Sequence, residues 1–228
     1  MRIFAEIHLL LKNKAVLAGG SGLIGSNLLQ ILLHEDYYDE VLILVRRLHP
    51  IEHPKLKQIK VDFGQLADYA GLITGHALFC CLGSTKKKTP DLSVYRKIDH
   101  DYPLALAQIA FKNGVEQYHL VSALGADANG FNFYTKMKGE TENDIKNAGL
   151  PCIHIYRPAL LTGERTERRQ AERILAAIMK VIDLLLVGKL KKYRSIPAAT
   201  VAAAMYKQSM NSERGVFIHS SEQIKQLS

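Results

Sequence analysis

A run of glycines near the N-terminus constrains this chain more than any other feature. The apolar segment Ala15–Ala18 leads directly into Gly19-Gly20-Ser21-Gly22-Leu23-Ile24-Gly25, and an amphipathic stretch follows. Between a strand and a helix, such glycines permit a tight turn, close approach of the backbone to a pyrophosphate, and close packing of the helix on the strand. The helix N-terminus also offers N–H groups to the anion. A P-loop is excluded because Ser26-Asn27 stands where a lysine and a hydroxyl residue are required. We therefore predict dinucleotide binding by Gly19, Ser21, Gly22, Leu23, Ile24 and Gly25.

The rest of the chain alternates short apolar runs with amphipathic stretches, which is typical of βαβ units on a parallel sheet. We predict strands at Ala15–Ala18, Val41–Val45, Gln58–Val61, Ala77–Cys81, Gln117–Val121, Cys152–Tyr156 and, as a possible seventh, Gly215–Ile218. We predict helices at Gly25–His34, Asp99–Asn113, Phe133–Asn147 and Glu167–Val187.

The expected fold is therefore α/β: a Rossmann doubly wound parallel sheet of six to seven strands with helices on both faces. The 228 residues contain no linker-like or repeated segment, so one domain spanning 1–228 is expected. A small substrate lobe is expected at its C-terminal side, within 159–214.

The end of the second predicted strand indicates which dinucleotide binds. An acidic residue there would hydrogen-bond the ribose of NAD, but this chain has Arg46 and Arg47, whose guanidinium groups would pair with a 2′-phosphate. NADP(H) is therefore favoured over NAD(H). Asp62 and Phe63 follow the third strand, where a side chain can reach the adenine. Cys81, Leu82 and Gly83 end the fourth strand, where the backbone would lie against the cofactor.

Three polar residues further along the chain form a candidate catalytic set. Ser122 ends the fifth predicted strand, and Tyr134 and Lys138 lie four residues apart on a predicted helix, so that they share a face. A neighbouring ammonium favours the phenolate form of a tyrosine. Tyr134 could then protonate a substrate carbonyl oxygen as hydride arrives, while Ser122 donates a hydrogen bond to that oxygen.

With the glycine loop, these residues resemble the short-chain dehydrogenase/reductase superfamily. The segments Cys81–Lys87, Asp99–Pro103, Val121–Ala126 and Tyr156–Leu161 are similar to its atypical branch, which includes the Tat-interacting-protein-like oxidoreductases and bacterial NAD(P)H-binding proteins. The resemblance covers roughly Ala15 to Met210. It implies that Ser122, Tyr134 and Lys138 are catalytic and that Tyr156, Arg157 and Pro158 lie along the nicotinamide. The asparagine that completes the proton relay in many members is not evident, and Asp99 stands near its place.

Charge and cysteine content limit the other possibilities. The net charge of +8 is spread along the chain without a recognition helix, zinc finger or RNA-binding motif, so no nucleic-acid partner is expected. The three cysteines lack metal-site spacing and indicate buried, reduced thiols in a cytoplasmic protein with no bound metal. No apolar run is long enough to span a membrane, and no signal peptide is evident. The apolar segment Ile178–Val187 is either core or a contact with a second copy or another protein.

The favoured function is NADPH-dependent reduction of a small carbonyl substrate. The alternative is a protein that senses NADP(H) and reports to a partner without significant turnover. A nucleotide-sugar epimerase fits less well because Arg46 and Arg47 predict NADP and because few residues follow Pro158 to build a substrate domain.

Overall fold

The computed structural model describes residues 13–163 and 193–228, and its centre is a parallel sheet of seven strands. The strands of this sheet are β1 Lys14–Ala18, β2 Glu40–Val45, β3 Leu56–Lys60, β4 Ala77–Cys80, β5 Gln117–Val121, β6 Cys152–Arg157 and β9 Gly215–Ser220. Their order is β3-β2-β1-β4-β5-β6-β9, and every neighbouring pair is parallel. Two further strands, β7 Leu161–Thr162 and β8 Ile196–Pro197, form a separate parallel pair. The predicted Rossmann fold is confirmed, and the possible seventh strand belongs to the sheet.

Six α-helices lie in the described residues. They are α1 Leu23–His34, α2 Leu92–Arg96, α3 Tyr102–Lys112, α4 Phe133–Lys146, α5 Ala198–Ser209 and α6 Ser221–Leu227. A 3₁₀-helical stretch, Phe63–Leu72, with non-helical backbone angles at Gln65, follows β3. A single π-helical turn, Lys97–Asp101, joins α2 to α3. The predicted helix Asp99–Asn113 therefore begins later as a regular α-helix, at Tyr102. The helix predicted at Glu167–Val187 lies outside the described residues.

The two faces of the sheet are covered by separate apolar cores, which is what a doubly wound fold requires. On one face, α1 and α5 pack with alternate strand residues such as Leu17, Ile43 and Phe79. On the other face, the 3₁₀ stretch and α3 cover Val16, Leu44 and their neighbours. The strands β1, β2 and β4 are buried on both faces, which explains why they are continuous apolar runs in the sequence.

The order of the strands predicts a crevice at the carboxyl ends of the two central strands, β1 and β4. The chain moves outward from β1 to β2 and β3, and then returns to the other side of β1 with β4. In an open parallel sheet, ligands bind at the carboxyl ends of the strands where this reversal occurs. Ala18 and Cys80, which end β1 and β4, are paired in register. The glycine segment and the Cys81–Gly83 segment therefore lie side by side at this point.

Candidate functional site

The glycine turn between β1 and α1 is shaped so that side chains would obstruct it. Gly19 has a φ of +87°, and a Cβ placed on it would lie 2.5 Å from the carbonyl oxygen of Cys81. A Cβ on Gly25 would overlap the carbonyl oxygen of Gly19. Gly22 is the N-cap of α1 and has no side chain to accept the first N–H groups of the helix. The turn therefore offers unshielded backbone donors and the positive end of the helix dipole, which fits the pyrophosphate of a dinucleotide.

A cavity of about 420 Å³ opens beside this turn. Its lining combines the glycine turn, the segment after β4, the end of β5 and one face of α4. The lining residues are Ser21, Gly22, Leu23, Ile24, Ser26, Cys81, Leu82, Gly83, Ser84, Thr85, Lys88, Asp99, Val121, Ser122, Tyr134, Lys138 and Leu161. The structure thus brings the predicted glycine loop, the Cys81–Gly83 segment and the predicted catalytic set together around one space.

The beginning of α4 fixes the position of the tyrosine. The side chain of Asn132, the N-cap of α4, accepts hydrogen bonds from the backbone N–H groups of Tyr134 at 2.8 Å and Thr135 at 3.4 Å. At Gly139, α4 lies very close to the Asp127–Ala128 segment. A Cβ on residue 139 would overlap the backbone of that segment. Tyr134 remains 37% exposed at the mouth of the cavity, whereas Lys138, one turn later, is buried.

A buried carboxylate holds the ammonium group of Lys138. Asp99 is 1% exposed, and its Oδ1 lies 2.8 Å from Lys138 Nζ, while its Oδ2 accepts the backbone N–H of Ser84 at 2.7 Å. Burial by itself would lower the pKa of Lys138, but the attraction of Asp99 and of Tyr134 together outweighs burial and the net pKa is raised. Lys138 is therefore a fixed cation at the cavity wall at neutral pH.

The hydroxyl group of Ser122 is held by a second buried carboxylate. Ser122 Oγ donates to Oε1 of the fully buried Glu142 at 2.5 Å. Arg157 donates to the same carboxylate through Nε, at 2.9 Å to Oε1, and through Nη2 to Oε2. These hydrogen bonds are the main reason that the pKa of Arg157 is raised. Ser122 lines the cavity, but its hydrogen is directed at Glu142.

The other predicted cofactor-binding residues do not line the cavity. Arg46 and Arg47 are exposed at the carboxyl end of β2, and neither forms an ion pair with another described residue. Asp62 is exposed and caps the 3₁₀ stretch by accepting the N–H of Gly64 at 2.8 Å, while Phe63 is buried in the core. The side chain of Asp62 is thus engaged locally rather than directed at the cavity.

The residues predicted to lie along the nicotinamide are likewise placed elsewhere. The ring of Tyr156 is fully buried, stacks on His119 and His219, and makes a hydrogen bond of 3.1 Å with His119 Nδ1. Tyr156 points to the core face because side chains alternate along β6. Arg157 is engaged with Glu142, and the buried Pro158 accepts the N–H of Leu124 through its carbonyl oxygen. None of the three side chains reaches the space beside Tyr134.

Glu142 is a residue of the site that was not predicted from the sequence, and the contact of Asp99 with Lys138 was not predicted either. For Glu142 a signal was available, because Tyr134, Lys138 and Glu142 are spaced by four residues and share one helix face. For Asp99 the signal is structural, since it lies in a π-helical turn, a feature often found at functional sites. In the described ranges no group of His, Cys, Asp or Glu is arranged to hold a metal ion, and no helix is long and apolar enough to cross a membrane.

Comparison with known proteins gives a consistent result. A family described as NAD(P)H-binding matches residues 19–211. The protein named HTATIP2 from Rattus norvegicus is 32% identical over 167 residues, which cover 71% of this chain and 69% of the relative. The protein named FMP52, mitochondrial, from Coccidioides immitis is 29% identical over 212 residues, which cover 87% and 86%. These relatives confirm the predicted resemblance to the atypical branch of the short-chain dehydrogenase/reductase superfamily.

Among solved structures, the Bordetella bronchiseptica enzyme WbmH in complex with NAD+ is similar in fold. Its TM-score is 0.68 at 18% identity, and the match covers 92% of this chain and 76% of WbmH. At that identity the likeness confirms the fold alone.

The predicted cytoplasmic location is wrong in the light of these relatives. FMP52 proteins from several fungi, at about 30% identity, are named as mitochondrial. The prediction depended on reduced cysteines and on the lack of a recognisable signal peptide. Neither feature separates the cytoplasm from other reducing compartments.

Proposed function

Since the chain belongs to the NAD(P)H-binding family, we propose that it is an NADP(H)-dependent oxidoreductase that reduces a small carbonyl compound. The observation that carries this proposal is that one cavity is lined by both the glycine turn and the Tyr134–Lys138 pair. A dinucleotide laid along the glycine turn and the Cys81–Gly83 segment would extend toward Tyr134 in the same space. Binding and proton transfer would thus take place in a single cleft.

The glycine turn and α1 would hold the pyrophosphate, for which the backbone N–H groups in the first turn of α1 and the absence of side-chain bulk are suited. When bound, the cofactor supplies the hydride that reduces the carbonyl carbon.

Tyr134 is the proposed proton donor to the carbonyl oxygen. Its partial exposure at the cavity mouth leaves the phenol accessible to a substrate, and its helix cap fixes the backbone that carries it. The negative charge that remains on Tyr134 after proton transfer is stabilised by the buried ammonium of Lys138, which Asp99 keeps protonated. Ser122 completes the proposed set at the end of β5.

The proposed preference for NADP(H) is supported by Arg46 and Arg47. Both residues are exposed just after the carboxyl end of β2. Because β2 is parallel to its neighbour β1, they lie at the same end of the sheet as the glycine turn. They are available to a 2′-phosphate, because no described carboxylate pairs with them. Replacement of both by alanine should weaken the binding of NADPH much more than that of NADH, and Arg214→Ala, at the far edge of the sheet, is the matched control.

Turnover is tested with Tyr134→Phe. The wild-type protein should oxidise NADPH in the presence of at least one member of a panel of small aldehydes and ketones. Tyr134→Phe should bind NADPH with unchanged affinity and lose most of that turnover, because only the proton donor is removed. Tyr69→Phe, which lies outside the cavity, is the control. Equal turnover in wild type and Tyr134→Phe would refute the proposed role, and a protein that binds NADPH but reduces no carbonyl would instead be a sensor.

A further inference from the structure

The hydrogen bonds around Glu142 determine what the hydroxyl group of Ser122 can do. In the part of the chain that the structure describes, the side chains that bond or pair with this buried carboxylate are all donors: Ser122 Oγ, the guanidinium of Arg157, and, at 3.9 Å, the ammonium of Lys146. A buried carboxylate paired with a guanidinium in this way is ionised. An ionised carboxylate can only accept, so Ser122 must supply the hydrogen of the bond that joins them.

A serine hydroxyl has a single hydrogen, and here that hydrogen points away from the cavity. The backbone of Ser122 is held as well, because its N–H donates to the carbonyl oxygen of Tyr156 at 2.8 Å. Toward the cavity, Ser122 Oγ therefore presents only lone pairs. Turning the hydrogen toward a substrate would break a charge-assisted hydrogen bond and lower the population of that arrangement by roughly ten- to a hundredfold.

We infer that Glu142 is a positioning residue that makes Ser122 a hydrogen-bond acceptor, and that the substrate carries a hydroxyl or N–H group beside its reacting carbonyl. This inference rests on the proposed function. It assigns two different tasks to the two hydroxyl groups of the site. Tyr134 gives its proton to the carbonyl oxygen, and Ser122 Oγ accepts a hydrogen bond from the neighbouring donor of the substrate, which fixes the orientation of the carbonyl.

The variant Glu142→Gln separates this role from the alternatives. In the glutamine side chain, Arg157 retains the carbonyl oxygen as its partner, which leaves the amide N–H₂ facing Ser122. Ser122 then accepts from the amide, and its own hydrogen turns toward the cavity. The matched control is Glu140→Gln, which removes the same charge from the outer side of α4, where Glu140 pairs with Arg96 at 2.6 Å.

A stability cycle tests the hydrogen bond without any substrate. The unfolding equilibrium constant is measured by urea denaturation for wild type, Ser122→Ala, Glu142→Ala and the double variant, because alanine, unlike glutamine, leaves Ser122 no hydrogen-bond partner at position 142. If Ser122 donates to Glu142, the effects of the two substitutions are coupled by about five- to a hundredfold in that constant. Additive effects would overturn the inference, even if both single variants are less stable than wild type.

An activity cycle tests the role. The paired probes are 2-hydroxyacetophenone, which carries a hydroxyl beside its carbonyl, and acetophenone, which does not. With NADPH, wild type and Glu140→Gln should prefer the hydroxy compound by about tenfold in kcat/KM, the effect of one hydrogen bond. Ser122→Ala should abolish this preference, and Glu142→Gln should abolish or reverse it.

A preference ratio that is the same in all four proteins would overturn the inference, because a purely structural role for Glu142 lowers the rates of both probes together. A rise in both rates in Glu142→Gln would also overturn it, since this would make Ser122 a donor to the carbonyl oxygen. If no carbonyl compound is reduced at all, the proposed function fails and the substrate assignment falls with it. The stability cycle then still decides whether Glu142 holds the hydrogen of Ser122.

Discussion

Replacement of Asp99 by asparagine should reverse the way in which the stability of this protein depends on pH. The substitution keeps a side-chain oxygen for the N–H of Ser84 but removes the charge that pairs with Lys138 at 2.8 Å. Both side chains are almost fully buried, and breaking such a pair costs about 3–5 kcal/mol, because a cation is left in the interior without a partner. Since a domain of this kind has a free energy of unfolding of about 5–15 kcal/mol, the variant should still fold but with a much smaller margin.

The sign of the pH dependence follows from the two opposing influences on Lys138. In the wild type, Asp99 raises the pKa of Lys138 above its usual value, so the contribution of this pair is complete below pH 10.5 and is lost as the pH rises further. In Asp99→Asn the attraction of Asp99 is lost, and burial, the largest single influence on Lys138, then lowers that pKa against the smaller attraction of Tyr134. The variant should therefore gain stability as the pH rises from 7 toward 10.5, by up to about 1.4 kcal/mol per pH unit.

The assay is urea denaturation between pH 7 and pH 10, with Asp68→Asn as a control that removes an exposed carboxylate from the 3₁₀ stretch. The control should change the free energy of unfolding by less than about 0.5 kcal/mol. If Asp99→Asn also changed it by so little, or if its curve ran parallel to that of the wild type, the buried ion pair would not stabilise the fold as argued.

Two further predictions concern the core and the glycine turn. Burial lowers the pKa values of His119, His154 and His219, in the case of His154 to about 4, so the unfolded chain takes up protons more readily between pH 6.5 and 4. The free energy of unfolding should fall over that window, by about 2 kcal/mol at pH 5 from His154 alone, and a flat curve from circular dichroism in urea would contradict this. Gly25→Ala should destabilise the fold by about 1–3 kcal/mol and weaken NADPH binding, because its Cβ would overlap the Gly19 carbonyl oxygen. Gly71→Ala, where a Cβ would meet nothing within 4 Å, should do neither, and equal effects would refute the steric argument.

The five inner strands, β1, β2, β4, β5 and β6, were predictable from the sequence because they are buried on both faces. The outer strands β3 and β9 are only partly buried, and their predicted ranges overlap the observed ones. The strand β5 has the bounds Gln117–Val121 that the sequence predicts. The helix α5 was missed because Ala198–Ser209 is rich in small residues on every side and lacks a clear apolar stripe, although it is buried against α1. Its position depends on tertiary packing rather than on a local pattern.

The candidate site was predictable where local spacing decides it. The glycine turn and the four-residue spacing of Tyr134 and Lys138 define parts of the cavity that lie within single elements. The partners of these residues come from elsewhere: Asp99 from the π-helical turn and Arg157 from the end of β6. Tyr156 shows the same limit, because a strand buried on both faces does not reveal which side chains point toward the cavity.

The proposed cofactor is tested by equilibrium titration of the purified protein with NADPH and with NADH, followed by cofactor fluorescence. We expect saturable binding of NADPH, with clearly weaker binding of NADH, because the turn at Gly19–Gly25 would hold the pyrophosphate and Arg46 and Arg47 would pair with the 2′-phosphate. Equal affinity for both would contradict the assignment of the two arginines. Failure to bind either cofactor would contradict the proposed function as a whole.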